Sequence, residues 1–175
     1  MPAGRTPAVR APGAPRPPPR CCGGTTWVLL AAMVTACSSG PVRRVSEPAA
    51  QIQQLTVRAD GRWSVDLRIE NFSSVPMRFD SLDLAMKVAG QDAGHITAQP
   101  AVSIGPESGD VVTAVFTPQV AGKLAVADAL AAGRSVAYTL SGEMTATPDE
   151  SRQRRFEVER SSQLSPAPGL PGVMR

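Results

Sequence analysis

Trp63, Val65, Leu67 and Ile69 alternate with Ser64, Asp66, Arg68 and Glu70 without a break, and Leu82, Leu84, Met86 and Val88 alternate with Asp83, Ala85 and Lys87. A two-residue period sends successive side chains to opposite faces, so each run predicts a half-buried strand. Val136, Tyr138, Leu140 and Met144 continue the pattern on a later strand, as do Phe156 and Val158. Val111 to Phe116 is shorter and more uniformly apolar, and Ile96 to Gln99 is a further short candidate.

The first turn follows from the same period. Leu55 and Val57 must share a face with Trp63 and Val65, yet a two-residue Asp60-Gly61 turn would set Val57 opposite Ser64 and divide the apolar sets between two faces. A three-residue loop, Ala59-Asp60-Gly61, pairs Val57 with Trp63 and Leu55 with Val65. That loop type wants glycine last, in the left-handed region, so a positive φ is expected at Gly61.

One segment departs from the strand rhythm. Val120, Leu124, Ala127 and Ala131 fall at i, i+4, i+7 and i+11 in an alanine-rich stretch, with Gly133 placed to end a helix. The spacing predicts one short helix over 119–132, packed by that stripe against a sheet or capping it. Six or seven strands and a single helix give a mainly β, two-sheet antiparallel sandwich. The proline- and glycine-rich stretch over 163–175 reads as either disordered or an extended cover over a sheet edge.

The chain before residue 50 has a different character. Trp27 to Ala36 is an apolar run of ten residues, about 15 Å as a helix and too short for a hydrocarbon core of roughly 30 Å. Arg5, Arg10, Arg16 and Arg20 precede it with no acidic residue among them, the layout of a signal peptide. Val34-Thr35-Ala36-Cys37 resembles the bacterial lipobox. The resemblance implies cleavage between Ala36 and Cys37 and attachment to a membrane through acyl chains on Cys37. Ser38, where an aspartate would signal inner-membrane retention, resembles the outer-membrane-sorted class. The expected organisation is a signal peptide over 1–36, a lipidated cysteine and flexible tether over 37–50, a β-sandwich over 51–162 and the tail over 163–175. The expected location is the outer membrane of the cell envelope, facing the periplasm.

Cleavage there changes the charge and the cysteine count. The whole chain carries a net +3, but four of its basic residues and none of its acidic ones precede Cys37, so 14 basic against 15 acidic residues leave −1. The basicity belongs to the leader, and no basic stripe with interleaved aromatics remains to bind nucleic acid. Cys21 and Cys22 leave with the leader, so the exported domain has no disulfide to staple it.

A family resemblance rests on the order of elements. A long alternating strand ends in asparagine (Leu67-Arg68-Ile69-Glu70-Asn71), a second strand from Leu82 to Val88 closes at Gly90, and Ile104-Gly105-Pro106-Glu107-Ser108-Gly109 leads into a third apolar strand. Over residues 51–146 this resembles the group-two late embryogenesis abundant family, also called the water stress and hypersensitive response domain. The family has Asn-Pro-Asn after the first long strand, whereas Asn71 is followed by Phe72 and Ser73; only the first asparagine carries over. The resemblance implies a fibronectin-III/immunoglobulin-like β-sandwich, a stress- or desiccation-associated role and no catalytic residues. Bacterial members are often lipoproteins.

Candidates for chemistry are few. His95, the only histidine, is expected in a Gly94-His95 surface turn, and Gly105-Pro106-Glu107-Ser108-Gly109 lacks the spacing of a nucleophile elbow. Asp80, Ser81 and Asp83 do not match a calcium loop. No metal and no cofactor is expected. Asn71-Phe72-Ser73 is a formal glycosylation sequon, read here as Asn71 bonding its own backbone at a turn. Trp63 is read as core, and Arg154-Arg155 as a solvated strand end within reach of lipid headgroups. Three readings remain open: a lipid-anchored, non-enzymatic stress protein that binds or shields envelope components, an adaptor lipoprotein docking an envelope assembly by strand addition, and a carrier of a small apolar or lipid ligand between the sheets.

Overall fold

The computed structural model describes residues 43–175; Ala36, Cys37 and Ser38 lie outside the described residues. Two antiparallel sheets face each other. The first has the order β6 (Ser108–Phe116), β2 (Trp63–Asn71), β1 (Ala49–Val57), β9 (Val173–Met174). The second has the order β4 (Gln91–Ala98), β3 (Met77–Val88), β7 (Val136–Pro148), β8 (Arg154–Leu164), with β5 (Val102–Ile104) also paired to β3. Over the described residues the protein is thus mainly β with one short helix, α1 (Val120–Ala131).

The alternating residues point where their period requires. Trp63, Val65, Leu67 and Ile69 are buried on β2, and Met77, Phe79, Leu82, Leu84, Met86 and Val88 on β3. Between the two frames β3 carries an irregularity at Asp80, between Phe79 and Ser81, which is how Phe79 and Leu82 both turn inward. The ring of Trp63 meets Phe116 edge-on, with centroids 5.9 Å apart at 82°. Large buried side chains from both sheets, Trp63, Phe79, Leu84, Met86 and Met144 among them, fill the space between the layers. A second cross-sheet tie is polar: a bulge in β1 between Ile52 and Gln54 accompanies an Ile52 N–H that donates to the Tyr138 hydroxyl on β7 at 3.1 Å.

In the first hairpin Val57 faces Trp63 and Leu55 faces Val65. Gly61 has φ +80°, and its N–H donates to the Arg58 carbonyl at 3.0 Å while Arg58 N–H reaches the Arg62 carbonyl at 2.9 Å. Asp60 accepts the Arg62 N–H at 3.0 Å and the Arg62 guanidinium at 3.0 Å. These bonds hold its carboxyl below the usual aspartate range.

Three sequence expectations need correcting. The helix forms over Val120–Ala131, but it buries Gly122, Val126 and Ala129 and leaves Val120 and Leu124, two of the residues expected to pack, 72% and 66% exposed. Gly122 is the reason. A Cβ there would lie 2.6 Å from the Ala93 Cβ on β4, so only glycine lets the helix axis come this close, and the close face wins over the more apolar one. The helix ends as its glycine requires: Arg134 N–H reaches the Ala129 carbonyl at 2.9 Å and Gly133 N–H the Leu130 carbonyl at 3.2 Å, with Gly133 at φ +62°.

The flexible tether expected over 37–50 also gives way earlier than residue 50. Ala49 and Ala50 already pair with Glu70 and Ile69, and Arg44 and Ser46 are bonded to the β2–β3 loop. Finally, nine strands form among the described residues rather than six or seven. Over 163–175 the chain folds back on itself: Ser165 and Arg175 exchange backbone hydrogen bonds, and β9 pairs Leu55 with Met174 and Thr56 with Val173 along the edge of β1.

Replacing Gly122 by alanine is expected to cost roughly 2 kcal/mol through overpacking against β4. Serine at Leu124 is expected to change stability by less than about 0.5 kcal/mol. Urea unfolding of the two variants checks which helix face is buried, and the reverse order would contradict the packing described here.

Candidate functional site

The register defines two ends of the sandwich. At one, Asn71 faces Ser108 and Met77 faces both Ile104 and Pro148; the chain enters here at Arg43. At the other, Val57 faces Trp63, Trp63 faces Phe116, and the helix follows.

Asn71 organises the entry end. Its side chain is fully buried at the end of β2, where the chain leaves one sheet for the other. The amide nitrogen donates to the carbonyls of Val75 at 2.9 Å, Gly105 at 2.9 Å and Ile104 at 3.2 Å. The amide oxygen accepts the Ser73 N–H at 2.9 Å. The local Asx turn read from the sequence is therefore part of a larger bracket between two loops. An amide so enclosed is also closed to glycosyl transfer in the folded state. Ser73, buried beside it, accepts the Ser46 N–H at 3.0 Å.

Above this bracket lies an open groove of about 290 Å³ lined by Arg44, Arg68, Glu70, Phe72, Glu107 and Gly109. Arg68 Nε donates to Glu70 at 3.0 Å, Arg44 donates to the Phe72 carbonyl at 3.2 Å and stands 3.9 Å from Glu107. Phe72 is 47% exposed on its rim. In the sequence Phe72 stands out only as a departure from the family turn. Its two polar neighbours hid the exposed ring, and no periodicity marks an exposed position in a loop.

A larger open groove of about 580 Å³ runs over the outer face of the second sheet, with Ser81, Asp83, Thr97, Gln99, Glu143 and Arg155 along it. His95 does not sit in a turn. It occupies β4 opposite Ala85, and its Nδ1 lies 3.4 Å from Asp83 with both side chains about two-thirds exposed. Water screens such a pair. Asp80 is engaged elsewhere: Gln153 donates to it at 3.0 Å and Thr147 at 2.9 Å, and together with Arg78 they hold its carboxyl below the usual range. Arg155 stands 3.7 Å from Glu143 on a solvated strand, and Trp63 is core at 1% exposure. Among the described residues no three histidine, cysteine or carboxylate side chains come together as a metal site.

The class these features define is a small antiparallel β-sandwich, without cysteine in its folded part, whose polar groups form open grooves and a buried corner bracket. The sequence model of the late embryogenesis abundant protein family matches residues 66–160, more than half the chain, and this protein belongs to that family. Membership points to a stress- or desiccation-related protein of a generally non-enzymatic kind. No curated protein matches the sequence. Among solved structures, a crystal structure of a protein from Archaeoglobus fulgidus is similar at 12% identity, covering 71% of this chain and 98% of that one, with a TM-score of 0.41. A solution structure of a protein from Arabidopsis thaliana is similar at 13% identity, covering 79% and 89%, with a TM-score of 0.46.

Two variants probe the site. Asn71→Asp keeps the shape but loses both amide hydrogens and sets a carboxylate against three carbonyls, so a loss of about 3 kcal/mol or more is expected in urea unfolding. Asp80→Asn is expected to cost about 1 kcal/mol at neutral pH. Because the folded-state value of Asp80 is depressed, its contribution is present above the ordinary aspartate range and fades as pH falls through the folded value. The gap between Asp80→Asn and wild type should thus close below about pH 3.9, and a gap that widens on acidification would contradict the hydrogen-bonding account.

Proposed function

We propose that this protein is a lipid-anchored, non-enzymatic member of the late embryogenesis abundant family that works at the cell envelope under water stress, binding or shielding envelope components. The observation that carries the reading is the Val34-Thr35-Ala36-Cys37 motif behind Trp27–Ala36 and four arginines, joined to a domain of this family. The folded part begins by Arg43, a short step after Cys37. Among the described residues no helix is long and apolar enough to cross a membrane. The reading assigns attachment to acyl chains on Cys37, which at about 0.8 kcal/mol per buried methylene hold firmly when more than one is present. The side chains filling the space between the sheets weigh against the carrier reading.

A second reading, docking by strand addition, is favoured by one edge. Three edges are guarded in familiar ways: α1 packs on β4, β8 carries Arg154, Arg155, Glu157, Glu159 and Arg160, and β9 is two residues long beside Pro166. β6 holds a single charge, Asp110, and exposes Val111 and Val115. Asp110 accepts the Val111 N–H at 2.7 Å, which blocks part of that edge and leaves this reading second.

In cells lacking the protein, survival after drying is expected to be restored by the wild type and not by Cys37→Ser, which should move from the membrane to the soluble fraction. Equal rescue by both would remove anchoring from the function, and undiminished survival of the deletion strain would remove the stress role.

A further inference from the structure

The groove at the chain-entry end combines three properties: position, charge pattern and an exposed ring. Five residues lie between Cys37 and Arg43, six steps along the chain and a reach of at most about 22 Å even when fully extended. Arg44 is already fixed to the fold, its N–H donating to the Ser74 hydroxyl at 2.8 Å and its guanidinium to the Phe72 carbonyl. A lipid on Cys37 therefore brings this end, and not the helix end, within a short distance of the bilayer. The groove's charges are two guanidinium groups, Arg44 and Arg68, interleaved with two carboxylates, Glu70 and Glu107, so the set is neutral overall while each sign is locally exposed. That arrangement matches neither a bare anion nor a bare cation. It matches a zwitterion, whose phosphate can take the place of a glutamate beside an arginine while its ammonium faces the glutamate so displaced.

We propose that this groove docks on a bilayer of zwitterionic phospholipid: Arg44 and Arg68 face phosphates, Glu70 and Glu107 face ethanolamine ammonium groups, and Phe72 enters the boundary between headgroups and acyl chains. The proposal rests on the lipid anchoring of Cys37 proposed above. The acyl chains supply the attachment; the groove sets the orientation, and burying the exposed half of one phenyl ring biases it towards contact by roughly fivefold.

The test uses the full chain expressed in a Gram-negative host, carrying Phe72→Trp, purified from membranes and reconstituted into phosphatidylcholine–phosphatidylethanolamine vesicles with brominated acyl chains. Trp27 leaves with the leader and Trp63 is enclosed in the core, so the new signal is that of position 72. Leu124→Trp, on the helix at the opposite end, is the matched control. Mass spectrometry reads the lipid on Cys37 separately. An acylated protein in which position 72 is blue-shifted and quenched while position 124 is not supports the docking, as does weaker quenching when phosphatidylglycerol replaces phosphatidylethanolamine. An acylated protein with position 72 unquenched, or with both positions quenched alike, overturns the docking and leaves the anchor standing. Stronger quenching on phosphatidylglycerol overturns the zwitterion assignment. A protein with no lipid on Cys37 overturns the anchor, and the docking with it.

Discussion

The side-chain amide of Asn71 sits where the chain twice changes sheets. β2 hands over to β3 through residues 72–76, and β5 hands over to β6 through residues 105–107. Each passage turns carbonyls into a space that water cannot fill, and one nitrogen collects the oxygens of Val75, Ile104 and Gly105. A buried acceptor left alone costs a good part of the stability of a domain this size. The segment at Arg44–Ser46 is fastened to the same corner through Ser73 and Ser74, so the arriving chain, the two sheets and the groove above them share one point of support. Geometry at the groove is set by a residue that does not line its mouth with charge.

How much of this could be read beforehand depends on the range of each signal. β2 and β3 were legible because each buries one face along its length, and burial enforces alternation. The Val57–Trp63 register was legible because only a three-residue loop puts both apolar sets inward. The helix boundaries were legible from alanine, spacing and Gly133. Its buried face was not. Hydropathy favours Val120 and Leu124, while the packing is decided by the missing Cβ of Gly122 against Ala93, a fact about a partner 29 positions earlier in the chain. β5 and β9 are too short to show a period. Asn71 was singled out by the family pattern, but its three acceptors come from the β2–β3 loop, the last residue of β5 and the residue after it, whose meeting no local signal reveals.

With the interior full, what the fold offers a partner is its surface, and the two sheets offer unequal ones. Charged strands and the helix close the second sheet at both edges. The first sheet carries its exposed apolar residues at a strand edge and on a loop, Val111 and Val115 on β6 and Phe72 at the corner. Isolated hydrophobic residues on a surface are ordinary. Phe72 differs in being bracketed by alternating charges on a corner held rigid from beneath, so its ring is presented rather than merely exposed.

The pairing of Leu55 with Met174 also bears on how the molecule comes to be folded. A contact between such distant positions forms late, because the loop it closes is nearly the whole domain. Until it forms, Leu55 and Thr56 of β1 lack their partners on that side, next to the hydrophobic face that Leu55 helps to build. The pairing covers only Leu55 and Thr56 of β1, so Val173 and Met174 tie the far end of the chain to the first strand at the hairpin end of that edge.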